Sequence, residues 1–232
     1  MSILNETQKC RNLELADLID KSVEYVESLG IATPDSIRVY DEKKNELTKE
    51  EMLNLYKNYK YLDLDAYYKT LMFTSVKKRC KELYQLIRET NTKKVLDYGS
   101  GVGTHAISFL ENNNEVHVLD VKNSPLLSFT VNRILARKYT AIAYDNESIL
   151  PTNYYDVIIC ADVLEHVYDP MCELNKMNTA LKKDGIIFLE VSNMVKPSSG
   201  HFKSSISKWK AKGIKFMKEN YNLIRKNTWQ KK

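Results

Sequence analysis

The stretch Val95-Leu96-Asp97-Tyr98-Gly99-Ser100-Gly101-Val102-Gly103 constrains this chain more than any other. Val95 to Asp97 reads as a short buried strand and 104–110 as a helix, so the three glycines fill the turn between them. The chain has only seven glycines in 232 residues, about half the ~7% usual in proteins. Nearly half of a scarce residue is therefore placed in one turn, where the backbone must come close to something.

From residue 93 onward, strands and helices alternate. Strands are expected at 115–120, 140–144, 156–161 and 186–191. Ser124-Pro125 and Asp169-Pro170 each supply a cap and a first-turn proline, for helices reaching about 138 and 181. Continuous apolar strands alternating with helices indicate a doubly wound, mostly parallel sheet covered on both faces. A complete seven-stranded sheet requires its last two strands from 216–229, a stretch that reads poorly as β.

The first 92 residues read as a separate helical segment, with 93–232 as the core. Leu15, Leu18, Ile19, Val23, Val26 and Leu29 recur at helical spacing, and Gly30 with Pro34 makes a stop. Thr48-Lys-Glu-Glu51 is a capping-box pattern for a second helix to about Tyr59, and a third is expected over 65–89. Eight of the fifteen tyrosines precede residue 90, and Tyr56, Tyr59, Tyr61, Tyr67 and Tyr68 are crowded enough to wall a pocket, with Tyr56, Tyr61 and Tyr68 expected to meet the acceptor.

Composition excludes several classes. No apolar run approaches the ~20 residues of a membrane helix, and the first residues lack the basic-then-apolar pattern of a secretion signal. Cys10, Cys80, Cys160 and Cys172 are scattered with no Cys-x-x-Cys, which fits reduced thiols in the cytoplasm. The net charge of +5 is uneven: 201–232 carries ten Lys/Arg against Glu219 alone. That basic tail reads first as a solvated face, and second as a surface for a phosphate-bearing partner.

In an open parallel sheet the ligand sits at the carboxyl ends of the strands, near the reversal of strand order. A dinucleotide turn would read Gly-x-Gly-x-x-Gly. Here the third glycine comes one residue early, and Asp97 beside the turn would repel a pyrophosphate while suiting a cationic amino group. Asp120, ending the second strand, can accept both hydroxyls of a ribose. Asp145-Asn146 follows the third strand, where a carboxylate could accept from the exocyclic amine of adenine. No remaining His, Asp or Glu group has metal-ligand spacing, so no metal is expected.

Together with Leu150-Pro151, Tyr155-Asp-Val-Ile158 and Asp162-Val-Leu-Glu-His-Val167, these residues resemble the class I S-adenosylmethionine-dependent methyltransferases, in particular the ubiquinone-biosynthesis type. The resemblance runs from about 93 to 195 with the motifs in order. It implies that Asp97 and the Gly99 backbone meet the methionine amino group, and that Gly101 and Gly103 line the methionine and ribose parts. Asp120, with Val121 beside it, would bind the ribose hydroxyls, Asp145 the adenine amine and the Asn146 backbone the ring. Ala161 and Asp162 would border the methionine end, with Glu165 and His166 toward the reacting methyl. The product would be S-adenosylhomocysteine. Tyr98 departs from the small aliphatic residue usual at its position.

The expected activity is methyl transfer to an oxygen or nitrogen of a small molecule, including a nucleotide-linked one. In-line positioning and exclusion of water do most of that chemistry. A hydroxyl acceptor must also lose a proton, for which His166 and His201 are the candidate bases and Glu165 a candidate orienter. His201 lies in a loop after the fifth strand, His117 reads as core, and the tyrosine-rich segment as a lid. The alternatives are an RNA methyltransferase gripping its substrate through the basic tail with Trp209 and Trp229, or a cofactor-binding partner subunit without catalysis. The helical segment would serve equally as a dimer surface.

Overall fold

The computed structural model describes residues 3, 6, 8–29, 48–57, 81–191 and 202–232. Among these residues, four helices precede the sheet: α1 (Gln8–Leu18), α2 (Val23–Leu29), α3 (Lys49–Lys57) and α4 (Lys81–Glu89). The single helix expected across 15–29 is two. Asp20 takes a left-handed φ of 53°, and the Ser22 hydroxyl accepts from the Tyr25 amide at 3.1 Å. A serine that can cap a new helix competes with continuing the old one. The capping box at Thr48 forms as expected, the Thr48 amide donating to Glu51 Oε2 at 2.8 Å and the Glu51 amide to Thr48 Oγ1 at 3.3 Å. Of the helix expected over 65–89, the described part is α4, which buries Leu83, Leu86 and Ile87.

The core is β1 (Lys94–Tyr98), α5 (Thr104–Leu110), β2 (Glu115–Asp120), α6 (Pro125–Ala136), β3 (Ile142–Asp145), β4 (Tyr155–Ala161), α7 (Pro170–Ala180) and β5 (Leu181–Glu190). It continues as α8 (Lys203–Lys208), a π turn (Trp209–Gly213), α9 (Ile214–Asn220), β6 (Tyr221–Arg225) and β7 (Thr228–Lys231). The seven strands lie in the order β3-β2-β1-β4-β5-β7-β6. β1 through β5 pair in parallel, and β7 is antiparallel to both β5 and β6. Strand order reverses between β1 and β4, and a ligand crevice opens at such a switch point.

Alternation along β1 sorts its side chains to opposite faces. Val95 joins a core with Leu86, Ile107, Val118 and Ile134. Leu96 and Tyr98 join the other core, with Ile158, Leu174, Met177 and Trp209. Asp97 therefore faces α5 and Tyr98 faces α7, where the Tyr98 hydroxyl donates to the Glu173 carboxylate. That bond accounts for the large side chain beside the glycine turn.

Two departures concern the last three strands. In β5, Leu181 pairs with Tyr155 and Ile186 with Val157, so 182–185 is extruded with Asp184 at a φ of 60°. At the carboxyl end, Phe216 belongs to α9, and the last strands begin at Tyr221, not at 216. Asn227, with a φ of 58°, closes their tight hairpin. The basic tail is thus α8, the π turn, α9 and the closing hairpin of the sheet. Arg225 pairs with Glu89 at 2.6 Å, and Lys231 Nζ donates to the carbonyls of Asn178 and Leu181 at 2.6 and 2.8 Å. Among the described residues no helix is long and apolar enough to cross a membrane.

Candidate active site

The parallel registers bring the acids together. Tyr98 is level with Leu119, and Asp120 with Asp145, so the carboxyl ends of β1, β2 and β3 form one rim. Ala161 is level with Glu190 on the other side of the switch point.

The glycine turn is pinned to β2. The Gly99 and Ser100 amides donate to the Leu119 carbonyl at 2.8 and 3.0 Å, and the Gly103 amide to the Ser100 carbonyl at 2.8 Å. Gly99 and Gly103 have φ of 77° and 74°, the left-handed region that other residues enter at a cost. Space is as tight as the torsion. A Cβ on Gly99 would lie 2.4 Å from Val163 Cγ2, and one on Gly103 would lie 2.8 Å from Thr130 Cγ2.

Asp120 anchors the turn from the side, with Oδ2 accepting from the Gly101 amide and Oδ1 from the Val121 amide, both at 2.8 Å. A carboxylate has about four acceptor positions, so these two amide bonds do not by themselves exhaust it for a diol. Asp97 is 2% exposed. Its Oδ2 accepts from the Ala106 amide at 3.1 Å, and His105 Nδ1 lies 4.0 Å from Oδ1. Burial, with the Asp120 charge adding to it, pushes the Asp97 carboxyl up to about 7. Burial pushes His105 down to about 4, so it brings no cation to that carboxyl near neutrality. A buried acid in this state favours an incoming ammonium, which restores the charged form.

Asp145 is committed to its own turn. Its Oδ1 accepts from the Ser148 hydroxyl and the Glu147 amide, each at 2.9 Å. Partial burial opposes ionisation, but Ser148, the Glu147 amide and Lys122 outweigh it and hold the carboxyl below its ordinary range. Asn146 Oδ1 accepts from the Lys122 amide at 2.8 Å, which ties this turn to the end of β2.

Beyond β4, Asp162 is exposed with a φ of 59°, and its amide donates to the Glu190 carbonyl at 3.1 Å. Residues Leu164–His166 form a short 3-10 turn. His166 is partly exposed, with Nε2 4.0 Å from Asp162 Oδ1. Glu165 is completely buried, and its carbonyl accepts from the Phe202 amide at 2.9 Å. Burial raises the Cys160 thiol, with the negative charges of Glu165, Glu173 and Asp97 adding to the shift. The structure thus separates the adjacent pair: His166 reaches the surface beside Asp162 while Glu165 points into the fold. His117, read as core, is 2% exposed in β2 with Nδ1 2.9 Å from the Tyr155 hydroxyl. Tyr56 lies on α3. Its side chain, together with Tyr61, Tyr68 and His201, falls outside the described residues.

Sequence reasoning missed the residues that back the turn. Thr130 Oγ1 donates to the Gly101 carbonyl, Arg133 Nη1 donates to the Val102 carbonyl at 2.8 Å, and Val163 covers Gly99. Thr130 and Arg133 sit three apart on α6, a spacing that places them on one face but carries no sign of the turn they reach. Among the described residues, no group of three or more His, Cys, Asp or Glu side chains is placed to hold a metal ion.

A sheet of this order, with a glycine turn after β1 and acids ending β1 and β2, defines a class I S-adenosylmethionine-dependent methyltransferase domain. Residues 72–230 match the family described as methyltransferase domain, and the chain belongs to it. A ubiquinone biosynthesis O-methyltransferase of Yersinia enterocolitica is 35% identical over 107 residues, 44% of this chain and 43% of the relative. The Shewanella protein of the same name is 33% identical over 110 residues, 44% of each chain. The chain thus matches less than half the length of these relatives. The YcgJ protein of Bacillus subtilis shares the fold at a TM-score of 0.50 and 19% identity, covering 62% of this chain and 69% of its own.

Proposed function

We propose that this chain transfers the methyl group of S-adenosylmethionine to a hydroxyl oxygen of a small molecule. The observation that carries the reading is the rim itself: buried Asp97, the pinned glycine turn and Asp120 within 2.8 Å of the Gly101 amide. Asp97 would hold the amino group, Asp120 the ribose diol, and the turn of Asp145 and Asn146 the adenine. The cradle fits such a ligand, because Gly99, Gly101 and Gly103 put no side chain at three of the turn's five positions and the acids match its cation and its diol. When bound, S-adenosylmethionine supplies a methyl already activated on a sulfonium.

The chain's own residues then position the acceptor, exclude water and remove a proton. His166 Nε2, partly exposed beside Asp162, would take the hydroxyl proton, and Asp162 would steady the resulting cation. Buried Glu165 would shape the turn that presents His166. Oxygen is preferred over nitrogen because the relatives named above are O-methyltransferases. A small molecule is preferred over RNA because Trp209 and Trp229, the aromatics of the basic segment, pack in a core cluster, and Arg225 and Lys231 are engaged within the fold.

The test is transfer of radiolabelled methyl by the full chain to panels of phenols and other alcohols, of amines, and of mixed RNA. Label on hydroxyl compounds is the expected result. Label confined to RNA or to amines would contradict the proposal.

A further inference from the structure

The glycine turn is held from behind by α6, and α6 is held in turn by α1. Arg133 is 2% exposed. Its Nη1 donates to the Val102 carbonyl at 2.8 Å and to Thr104 Oγ1 at 2.9 Å, one contact in the glycine turn and one at the start of α5. Its Nε and Nη2 donate to a single oxygen, Glu14 Oε2 on α1, at 3.1 and 2.8 Å. One planar guanidinium therefore touches the turn with one edge and the N-terminal helix with the other.

A second arginine extends the arrangement. Arg137 Nε donates to Glu14 Oε1, and its two terminal nitrogens donate to the Glu6 carboxylate at 2.8 Å each. Burial works against ionisation of Glu14, yet Arg137 and Arg133 hold its carboxyl below the ordinary range. Apolar contacts run beside these charges. Leu15, Ala16 and Val26 pack against Val102, Leu126 and Phe129, so α1 and α2 lie directly on the turn.

Docking two helices does not require charge, because well-packed apolar residues often stabilise as much as a buried ion pair. The pair adds a dependence. Arg133 can remain buried against the Val102 carbonyl only while Glu14 neutralises it, since an uncompensated buried cation is strongly unfavourable. Undocking α1 would draw the guanidinium toward water and release the carbonyl that sets the peptide plane between the second and third glycines.

We propose that Arg133 is a positioning residue that couples docking of α1–α2 to the ligand-ready shape of the glycine turn. The N-terminal helices then act as a clamp on the S-adenosyl ligand without a residue of α1 touching it. This rests on the cofactor reading above. Coupling of this kind is reciprocal: what α1 gives to ligand affinity, the ligand returns to α1.

The experiment is calorimetric titration of S-adenosylhomocysteine into the full chain and into Glu14→Gln, Arg133→Lys and Glu27→Gln. Amide hydrogen exchange over 8–29 is followed with and without the ligand. Glu14→Gln and Arg133→Lys should each weaken binding about tenfold. Saturating ligand should slow exchange in α1–α2 of the wild-type chain about tenfold, and much less in Glu14→Gln. Glu27→Gln makes the same charge change on an exposed part of α2 and should leave both readings unaltered. Affinity of Glu14→Gln within twofold of a wild-type chain that binds normally would overturn the coupling while sparing the cofactor reading. So would wild-type exchange that ignores the ligand, and this arm decides alone if a variant fails to fold. A wild-type chain that binds no S-adenosylhomocysteine would sink both.

Discussion

Replacing Gly99 with alanine tests the turn at its tightest point. Alanine at a φ of 77° enters the left-handed region, at about 1–2 kcal/mol. The new Cβ would sit 2.4 Å from Val163 Cγ2, whereas carbons rest at about 3.5–4.0 Å. Val163 must therefore give way by about 1 Å, in a loop where the next two residues, Leu164 and Glu165, are buried. Overpacking of this size costs about 1–3 kcal/mol, which brings the total to about 3 kcal/mol. In a chain of 232 residues, each kcal/mol shifts the melting temperature by about 2–4 °C, so Gly99→Ala should lower it by about 6–12 °C in thermal unfolding followed by circular dichroism. The two contributions separate in a double-mutant cycle. Adding Val163→Ala should recover the steric part, giving a coupling of about 2 kcal/mol, and leave the torsional part in place. A melting temperature within about 2 °C of wild type, or a cycle without coupling, would refute the reasoning.

Two further outcomes follow from the charges around the rim. Asp97 has a folded-state value near 7 against an ordinary 3.8. Its protonated form is favoured by folding, so its contribution to stability is full below about pH 4 and is lost as pH rises to about 7, at most about 4 kcal/mol. Denaturant unfolding of ligand-free Asp97→Asn should therefore lose less stability between pH 4 and 7 than the wild-type chain, and parallel profiles would contradict the assignment. His166→Gln should lower kcat about 100-fold, within the usual range for a general base, with S-adenosylhomocysteine affinity unchanged. An unchanged kcat would remove His166 from proton transfer.

Much of the core was legible because its signals are local. Apolar runs, broken in β2 by His117, mark β1, β2 and β4, and Ser124-Pro125 and Asp169-Pro170 announce α6 and α7, whose caps form on Leu126 and Met171. The errors arise where local signals compete. Ser22 suits a helix interior by spacing yet caps a new helix, and the extruded 182–185 hides the pairing of Leu181 with Tyr155. Asp97, Asp120 and Asp145 could be read because each ends a strand or lies next to the glycine turn. Their support could not. Thr130, Arg133 and Glu14 meet the turn or each other across 29, 31 and 119 residues of chain, and each looks in sequence like an ordinary helical position. Glu165 and His166 are neighbours in sequence, but the 3-10 turn sends one inward and the other outward.

The central claim is that the rim at β1 and β2 is built for an S-adenosyl ligand, and Asp120 is its most exacting test. S-adenosylhomocysteine and NAD should be titrated calorimetrically into the full chain and into Asp120→Ala. The account predicts binding of S-adenosylhomocysteine, no binding of NAD, and a loss of about 100-fold in the variant, from two charge-assisted hydrogen bonds at about 1.5 kcal/mol or more each. Equal affinity in wild type and Asp120→Ala, or preference for NAD, would contradict it.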